Sequence, residues 1–382
     1  MATQYYNAVA HAATPFVTVY GQDGDVSTKI ADPATLPTGP GYGATWTSDS
    51  TYLAVSHDTT PFISVYKRAG DVLTKLANPA TLPTSISVSA SWSDDGTYLA
   101  VCSYTSPFIS VYKRSGDVLT KIADPSPQPS SAFGTPAAIS TSWSADGTYL
   151  AVAHVASPFL TIYKRSGDVL TKLADPATPP PDTGRGASWS SDGTYLTVAH
   201  SGSPFLTTYK RAGDVFTKLA NPATLPPNTG YGVAYSPDDT YLTVAHNSSP
   251  RFTIYKRAGD VFTKLANPAA LPTGNGRDAS WSPDNGYLAI SHQNSPYVTT
   301  YSRSGDVFTK LSNPATLPTG NSAGLAYSDI LNAAPTAPTL IGPADLAEVP
   351  ADKPLLYDWV FNDPDAGNTQ SEFALVRRKV AP

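Results

Sequence analysis

Polar and apolar positions alternate with a period of two along most of this chain. In residues 194–200 (TYLTVAH), successive side chains alternate in this way, and aromatic and β-branched residues predominate. Such spacing is typical of β-strands rather than helices. Four runs of this kind occupy one segment: run A at residues 187–189, run B at 194–200, run C at 205–210 and run D at 214–219.

Short polar segments separate these runs. Residues 191–193 (SDG) lie between A and B, and the pair Ala212-Gly213 lies between C and D. Both supply the acidic or glycine residues that tight turns prefer. A longer Pro-rich segment, residues 221–232, leads to the next run A. We therefore expect antiparallel strands joined by tight turns, without a long helix.

The whole unit repeats along the chain. The Tyr that closes run C recurs every 46 residues, with a single interval of 51. Its positions are Tyr20, Tyr66, Tyr112, Tyr163, Tyr209, Tyr255 and Tyr301. A fixed period of this size indicates a repeat architecture. Four antiparallel strands per repeat are typical of the blades of a β-propeller.

The two chain ends carry complementary parts of one repeat. The first fragment begins with a run B at residues 6–11 (YNAVAH), and the last stops after a run A at residues 325–328 (LAYS). A ring closes when both fragments form one blade, whereas an open solenoid gains nothing from this arrangement. Run A ends in an aromatic residue seven times: Trp46, Trp92, Trp143, Trp189, Tyr235, Trp281 and Tyr327. We predict an all-β fold, a seven-bladed β-propeller with four-stranded blades in residues 1–330, closed by strands from both termini.

The segment S-x-D-G-x-Y-L-x-V at residues 190–198 resembles the "SPDG" run of WD-repeat and YVTN-type propellers. Residues 235–238 (YSPD) and 281–284 (WSPD) match it best, and the resemblance covers residues 3–329. The Gly-His and Trp-Asp dipeptides of true WD repeats are absent, so the resemblance implies the fold and not the scaffold functions of that family. Near-identical repeats with YKRSGD and TKLA resemble propellers of bacteriophage virion and bacterial proteins.

The repeat ends near residue 330. Residues 331–345 form a Pro/Ala-rich linker. In residues 346–382, alternating strands around Trp359 resemble part of a fibronectin type III or Ig-like module, too short for a full sandwich. We expect residues 355–361 and 372–377 to form a hairpin that docks on another chain. Asp363, Asp365 and Asn368 have the oxygen-bearing side chains of calcium ligands, but we interpret them as part of a Pro-braced hairpin turn.

The composition excludes only a few classes of protein. The 382 residues carry a net charge of −5, 14% charged residues, 36 Pro and one Cys, Cys102. A single Cys excludes an intramolecular disulfide framework, and no apolar run is long enough for a membrane span. Residues 1–10 lack the features of a signal peptide. Basic residues cluster at the C–D turns beside Asp residues, which indicates a solvated outer edge rather than a nucleic-acid surface.

Candidate catalytic or metal-binding groups follow the repeat. The six histidines share one position at the end of run B: His11, His57, His154, His200, His246 and His292. Equivalent positions on neighbouring blades lie too far apart to bind one metal ion, so we expect packing or hydrogen bonding near the B–C loop. The Asp residues of the A–B turns are turn formers. No blade stands out by new polar residues, so we predict no catalytic residue, no metal and no cofactor.

The variation between repeats lies in the D-to-A connections. Four residues before each run-A aromatic, the residue type changes from blade to blade. The candidate binding residues at this position are Tyr42, Val88, Ile139, Arg185, Tyr231 and Arg277, with Ala323 in the last fragment. D–A and B–C loops share one face of a propeller, around the channel mouth. Because binding residues usually lie on such loops and Tyr and Arg are frequent anchors, we predict a binding site there; drift in loops without function is the alternative.

These observations favour a non-enzymatic binding or structural module. The hypothesis is a bacteriophage virion protein, of the tail, fibre or capsid surface, that contacts other virion subunits or a host-surface receptor of protein or glycan. The alternatives are a bacterial scaffold or surface protein, located in the cytoplasm if it stays in the cell, and a glycan-active lyase or glycosidase. Neither nucleic acid nor membrane insertion is expected.

Overall fold

A computed structural model describes residues 5–129 and 138–329, together with the backbone of residues 339–341 and 358–360. The chain divides into two compact units, Met1–Ile330 and Leu331–Pro382. The first unit consists of seven four-stranded antiparallel sheets. Within the described residues no helix is present, and hence none with the length and hydropathy needed to span a membrane.

Each sheet is one blade, with strands A to D in order from the centre outward. Strand A is formed by Ser322–Tyr327 in blade 1 and, in blades 2 to 7, by Gly41–Trp46, Ser87–Trp92, Ala138–Trp143, Gly184–Trp189, Gly230–Tyr235 and Gly276–Trp281. Strand B is formed, from blade 1 to blade 7, by Tyr5–His11, Tyr52–His57, Tyr98–Ser103, Tyr149–His154, Tyr195–His200, Tyr241–His246 and Tyr287–His292.

The outer strands follow the same order of blades. Strand C is formed by Val17–Asp23, Ile63–Ala69, Ile109–Ser115, Leu160–Ser166, Leu206–Ala212, Phe252–Ala258 and Val298–Ser304. Strand D is formed by Val26–Lys29, Val72–Lys75, Val118–Lys121, Val169–Lys172, Val215–Lys218, Val261–Lys264 and Val307–Lys310. Strands A of neighbouring blades contact each other around a closed ring.

Blade 1 joins the two ends of the propeller. Strand Ser322–Tyr327 pairs antiparallel with Tyr5–His11, with Leu325 opposite Val9. The predicted seven blades and their closure are therefore confirmed. Strand A is longer than predicted, because Gly184 and Gly186 also pair, opposite His200 and Ala199, and Arg185 between them forms a β-bulge. The variable position of each blade therefore belongs to a strand and not to a loop.

The core lies between neighbouring blades. Strand B is buried along its whole length in most blades, since strands A and C flank it in the sheet and other blades cover its faces. Between blades 4 and 5, for example, Tyr149 packs on Trp189 with ring centroids 6.0 Å apart. Leu196, Tyr209 and Phe216 complete this cluster. Burial of such aromatic and aliphatic surface stabilises each junction.

The A–B turn is held by its acidic residue. In blade 5 the Ser190 hydroxyl donates a hydrogen bond to Asp192, and the backbone N–H of Thr194 donates to the same carboxylate at 2.8 Å. These two bonds hold the pKa of Asp192 below its usual value, although partial burial opposes them. The prediction that these aspartates form turns therefore agrees with their contacts.

We call the face that carries the A–B and C–D turns the lower face. At the junction of blades 4 and 5, the Tyr149 hydroxyl donates to Asp214 at 2.5 Å, and Lys164 binds the same carboxylate at 2.9 Å. The Arg211 guanidinium lies 4.8 Å from the centre of the Tyr149 ring. The Tyr–Asp contact recurs at every junction: Tyr6–Asp71, Tyr52–Asp117, Tyr98–Asp168, Tyr149–Asp214, Tyr195–Asp260, Tyr241–Asp306 and Tyr287–Asp25.

In the second unit, Thr339–Ile341 pairs antiparallel with Asp358–Val360, so that Leu340 lies opposite Trp359. This pairing occupies one edge of the strand Asp358–Val360. The predicted pairing of residues 355–361 with residues 372–377 stays a prediction. Residues 372–377 and the calcium candidates Asp363, Asp365 and Asn368 lie outside the described residues. Docking of this segment on another chain stays a prediction.

Candidate functional site

The face opposite to the lower face carries the D–A and B–C connections, and we call it the upper face. Here the first residues of strand A from all seven blades surround a cavity of about 610 Å³. Its volume falls within the range of small-molecule sites. Gln293 and Ala12, each directly after the histidine that ends a strand B, also contribute to its wall.

All six residues predicted as binding residues line this one cavity. Each is the second residue of its strand A, so the sheet places them at one level around the mouth. They divide into two sectors. Blades 2 to 4 contribute the apolar and aromatic residues Tyr42, Val88 and Ile139, and blades 5 to 7 contribute Arg185, Tyr231 and Arg277. Their role in binding stays a prediction, whereas their common location is now established.

The three residues of blades 5 to 7 form a stack. The guanidinium groups of Arg185 and Arg277 lie 5.1 Å and 4.5 Å from the centre of the Tyr231 ring. Arg185 is fixed further by a 2.7 Å bond from its Nε to the Ser201 hydroxyl. A ring between two cations screens one positive charge from the other through its negative faces. The stack therefore concentrates positive charge on one side of the cavity.

The apolar sector is more open to solvent. Tyr42 of blade 2 is 37% exposed, and Tyr104, directly after strand B of blade 3, is 39% exposed. Burial, together with the nearby Asp58 and Tyr104 side chains, raises the pKa of Tyr42. Apart from these two tyrosines, the exposed large apolar side chains in the described part of the chain are the seven valines that open the D strands.

Asp278 lies one residue after Arg277 and also lines the cavity. The equivalent residues of the other blades are small and uncharged: Gly43, Ser89, Ser140, Gly186, Gly232 and Gly324. A side chain on Gly232 would lie 2.5 Å from Asp278 Oδ1, so the glycine of blade 6 makes room for the carboxylate of blade 7. The prediction that no blade breaks the symmetry with a new polar residue is therefore wrong.

The surroundings of Asp278 change its acidity. Its Oδ1 accepts the backbone N–H of Ala279 at 2.9 Å, and its Oδ2 accepts that of Leu325 in blade 1 at 3.2 Å. The side chain is partly exposed toward the cavity, but the surrounding blades exclude most of its water. This desolvation outweighs the two hydrogen bonds and raises the pKa of Asp278 to about 7. A carboxyl group with this pKa can take up and release a proton at neutral pH.

The histidines do not line the cavity. His200 is buried, and its Nε2 lies 3.0 Å from the Thr207 hydroxyl of strand C. Burial lowers the pKa of His200 and of its equivalents, to about 4 at His57. These rings are therefore neutral, and they tie strand B to strand C. Within residues 5–129 and 138–329, no group of three or more His, Cys, Asp and Glu is placed to hold a metal ion.

Comparison with known families decides the classification. Residues 40–320 match the family model "Lactonase, 7-bladed beta-propeller". The chain belongs to this lactonase family. The match includes the strands A of blades 2 to 7, and with them Asp278 and the six variable residues of the cavity. A search of curated proteins found no match.

Solved structures share the fold at low sequence identity. A periplasmic gluconolactonase from Pseudomonas aeruginosa is 18% identical with a TM-score of 0.66, and the match covers 85% of this chain and 99% of that one. A candidate 6-phosphogluconolactonase from Bacteroides fragilis is 14% identical with a TM-score of 0.68, covering 86% and 98%. A protein from Lactobacillus plantarum is 17% identical with a TM-score of 0.69, covering 85% and 100%. At these identities the likeness shows the fold alone.

Membership of the lactonase family corrects the prediction of function. The prediction of a non-enzymatic virion protein is wrong, since the matched family is one of enzymes. The virion location depended on that prediction and loses its support. The enzymatic alternative named a lyase or glycosidase rather than a lactonase and was wrong in reaction class. The reason is that the near-identical repeats favour a structural interpretation, which takes no account of Asp278 in the wall of the cavity.

A signal for Asp278 was present in the sequence. Aligning the seven strands A places Asp at a position that is otherwise Gly or Ser. Residue types vary freely at the preceding position, which carries the predicted binding residues, and the sequence pattern places the position of Asp278 in a loop. Since that residue is in a strand lining the channel, its side chain faces the ring axis together with its six small equivalents. The other six blades form this part of the ring without a charge, so the repeat does not require one here.

Proposed function

We propose that this protein hydrolyses a lactone in the cavity of the upper face, with Asp278 as the general base. The observation that carries the proposal is a single carboxylate, with a pKa of about 7, in the wall of this cavity in a member of the lactonase family. Lactone hydrolysis needs a group that takes a proton from water and later returns it. A carboxyl group of this acidity serves for both steps.

The reaction begins with ionised Asp278. Its carboxylate accepts a proton from a water molecule while the water oxygen bonds to the lactone carbonyl carbon. The electron pair of the C=O double bond moves to the carbonyl oxygen and gives a tetrahedral oxyanion. When this intermediate collapses, the bond from carbon to the ring oxygen breaks, and that oxygen takes the proton from Asp278. The product is the open hydroxy acid, and Asp278 is again a carboxylate.

The arginine stack contributes through charge. The lactone ring is neutral, whereas both the tetrahedral intermediate and the product carboxylate are negative. Positive charge fixed at the same cavity stabilises these anions more than it stabilises the neutral ring. Arg185 and Arg277 are held in advance by Tyr231 and, for Arg185, by Ser201, so little reorganisation is needed when the charge develops.

Acid release by the purified full-length protein tests the proposal. δ-Gluconolactone and its 6-phosphate are the first substrates, because two structural neighbours carry the corresponding names. Wild-type protein should accelerate ring opening above the spontaneous rate, and Asp278→Asn should lower kcat about 10²- to 10⁴-fold. The wild-type rate should rise with pH up to about 7 and then level off, because Asp278 must be ionised to act.

The matched control is Asp175→Asn. Asp175 forms an ion pair with Lys172 at the outer edge of blade 4, 2.8 Å long and partly exposed. The same chemical change there should leave kcat and the pH profile unaltered. An Asp278→Asn protein with wild-type kcat on any lactone that the protein opens would show that Asp278 is not the base.

A further inference from the structure

The two sectors of the cavity wall differ in charge and polarity. This difference bears on which substituents the lactone ring of the substrate carries. Blades 5 to 7 present the arginine stack, and blades 2 to 4 present Tyr42, Val88 and Ile139 at the same level. Four consecutive blades, counting Ala323 of blade 1, therefore offer no charged group at this position. A ligand that spans the mouth meets a cationic wall on one side and an apolar wall on the other.

A polyhydroxylated ligand fits this mouth poorly. At the level of the variable residues, its hydroxyl groups on the side of blades 3 and 4 would face the aliphatic side chains of Val88 and Ile139, which neither donate nor accept hydrogen bonds. The serines of this wall that follow them, Ser89 and Ser140, lie one residue further along the strands. A hydroxyl group that loses water without gaining a partner weakens binding. Tyr42 and Tyr104 extend the same sector with exposed aromatic rings, on which flat apolar groups pack.

We infer that the substrate is a lactone that carries an anionic group at one end and an apolar alkyl or aryl body at the other. The anion lies against Arg185 and Arg277, and the apolar body lies over Tyr42, Val88 and Ile139. This inference rests on the proposed lactonase function, which it narrows to a substrate class. In this orientation the ring crosses the cavity, whose wall includes Asp278.

Binding to the Asp278→Asn protein tests the recognition separately from catalysis. Three probes are titrated by calorimetry: 3-phenylpropionate, which is anionic and apolar; 3-phenylpropanol, which is apolar and neutral; and gluconate, which is anionic and polyhydroxylated. We expect 3-phenylpropionate to bind at least about tenfold more tightly than either of the others, because only it satisfies both sectors. Arg185→Gln together with Arg277→Gln should remove most of the difference between 3-phenylpropionate and 3-phenylpropanol.

Val88→Thr tests the apolar sector, because threonine keeps the shape of valine and adds a hydroxyl group. It should weaken 3-phenylpropionate roughly three- to tenfold and leave gluconate unchanged or slightly improved. Val118→Thr is the matched control, since Val118 is 63% exposed at the outer edge of blade 3. It should change neither affinity.

Two results would overturn the inference. One is gluconate binding as tightly as 3-phenylpropionate, with Val88→Thr without effect; the mouth would then accept polyhydroxylated ligands. The other is a failure of 3-phenylpropionate to bind at any soluble concentration. In either case the proposed lactonase function would still be supported if the wild-type protein hydrolyses δ-gluconolactone and the Asp278→Asn protein does not. Conversely, selective binding of 3-phenylpropionate without hydrolysis of any lactone would reject the reaction and retain the recognition.

Discussion

The two faces of this propeller are built from the same seven repeats, but equivalent positions are nearly uniform on the lower face and vary from blade to blade on the upper face. On the lower face, a Tyr hydroxyl binds an Asp of the next blade at every junction, from Tyr52–Asp117 to Tyr241–Asp306. On the upper face, equivalent positions hold Tyr, Val, Ile or Arg, and one blade adds Asp278. Contacts that every junction needs are repeated, whereas a ligand at the ring axis meets each blade once and requires different residues from each.

Deviation from the repeat is not sufficient to indicate function, as blade 1 shows. Gly21 and Ser302 stand where the other blades have the lysine that binds Asp, and Gln22 stands where they have arginine. These changes lie at the two junctions of the blade that joins the chain ends. None of these three residues lines the cavity of the upper face. Asp278 differs because the deviation coincides with a cavity, with crowding that Gly232 relieves, and with a raised pKa.

The largest effect that separates the two faces is expected from Asp278→Ser. Serine is the residue of blades 3 and 4 at this position, so the repeat itself accepts it. We expect lactone hydrolysis to fall about 10²- to 10⁴-fold, while the thermal midpoint at pH 7 stays equal or rises, because a poorly hydrated carboxylate is removed. Acid release and circular dichroism of the same samples measure both. A marked drop in the midpoint would mean that Asp278 stabilises the ring.

The fold was predictable because repetition multiplies every weak signal. One strand of alternating residues is ambiguous, but seven copies of residues such as 194–200 leave no doubt about period, strand number or closure. The six residues of the mouth could be found for the same reason, as departures from a known pattern. The pKa of Asp278 could not, because it depends on how far neighbouring blades exclude water. The stack of Arg185, Tyr231 and Arg277 likewise arises from three separate repeats.

The second prediction concerns pH and stability. An aspartate in an unfolded chain has a pKa of about 3.9, whereas folding raises the pKa of Asp278 to about 7. Between these values the folded protein holds a proton that the unfolded chain has released, so the free energy of unfolding decreases as pH rises from about 4 to 7. The decrease is at most on the order of 3 kcal/mol, and the partial exposure of the side chain reduces it.

Asp278→Ser lacks this contribution and is the natural reference. Urea denaturation of both proteins at several pH values between 4 and 8 should show the variant gaining stability relative to wild type up to about pH 7, with a constant difference above it. Parallel stability curves over the whole range would show that the pKa of Asp278 is the same in the folded and unfolded chain. The lower-face contacts are identical in both proteins and cancel in the comparison.

The third prediction addresses the lower face directly. Tyr149 is buried apart from its hydroxyl, which donates to Asp214. Tyr149→Phe removes this bond and should lower the free energy of unfolding by about 1 kcal/mol, or the thermal midpoint by roughly 1 to 2 °C in a ring of this size. Hydrolysis should be unchanged. Tyr42→Phe on the upper face is the matched control, expected to leave the midpoint unchanged because Tyr42 is 37% exposed.

The smallest effect tests whether the lower face can be made more regular. At five junctions a lysine binds the Asp of the next blade, as Lys256 binds Asp306 at 2.9 Å. Ser302 occupies the equivalent position opposite Asp25, which is exposed and already accepts the Tyr287 hydroxyl at 3.0 Å. Ser302→Lys should therefore form the missing ion pair. Exposed pairs contribute about 0.5 kcal/mol, so the midpoint should rise by less than about 1 °C.

Salt distinguishes this ion pair from a general effect of the substitution. The gain from Ser302→Lys should shrink as sodium chloride is raised toward 1 M, because ions screen exposed charges, and it should vanish when Asp25→Asn is added. Both variants should hydrolyse lactones at the wild-type rate, since neither residue lines the cavity of the upper face. A gain that persists in salt and without Asp25 would mean that the lysine acts through its aliphatic chain.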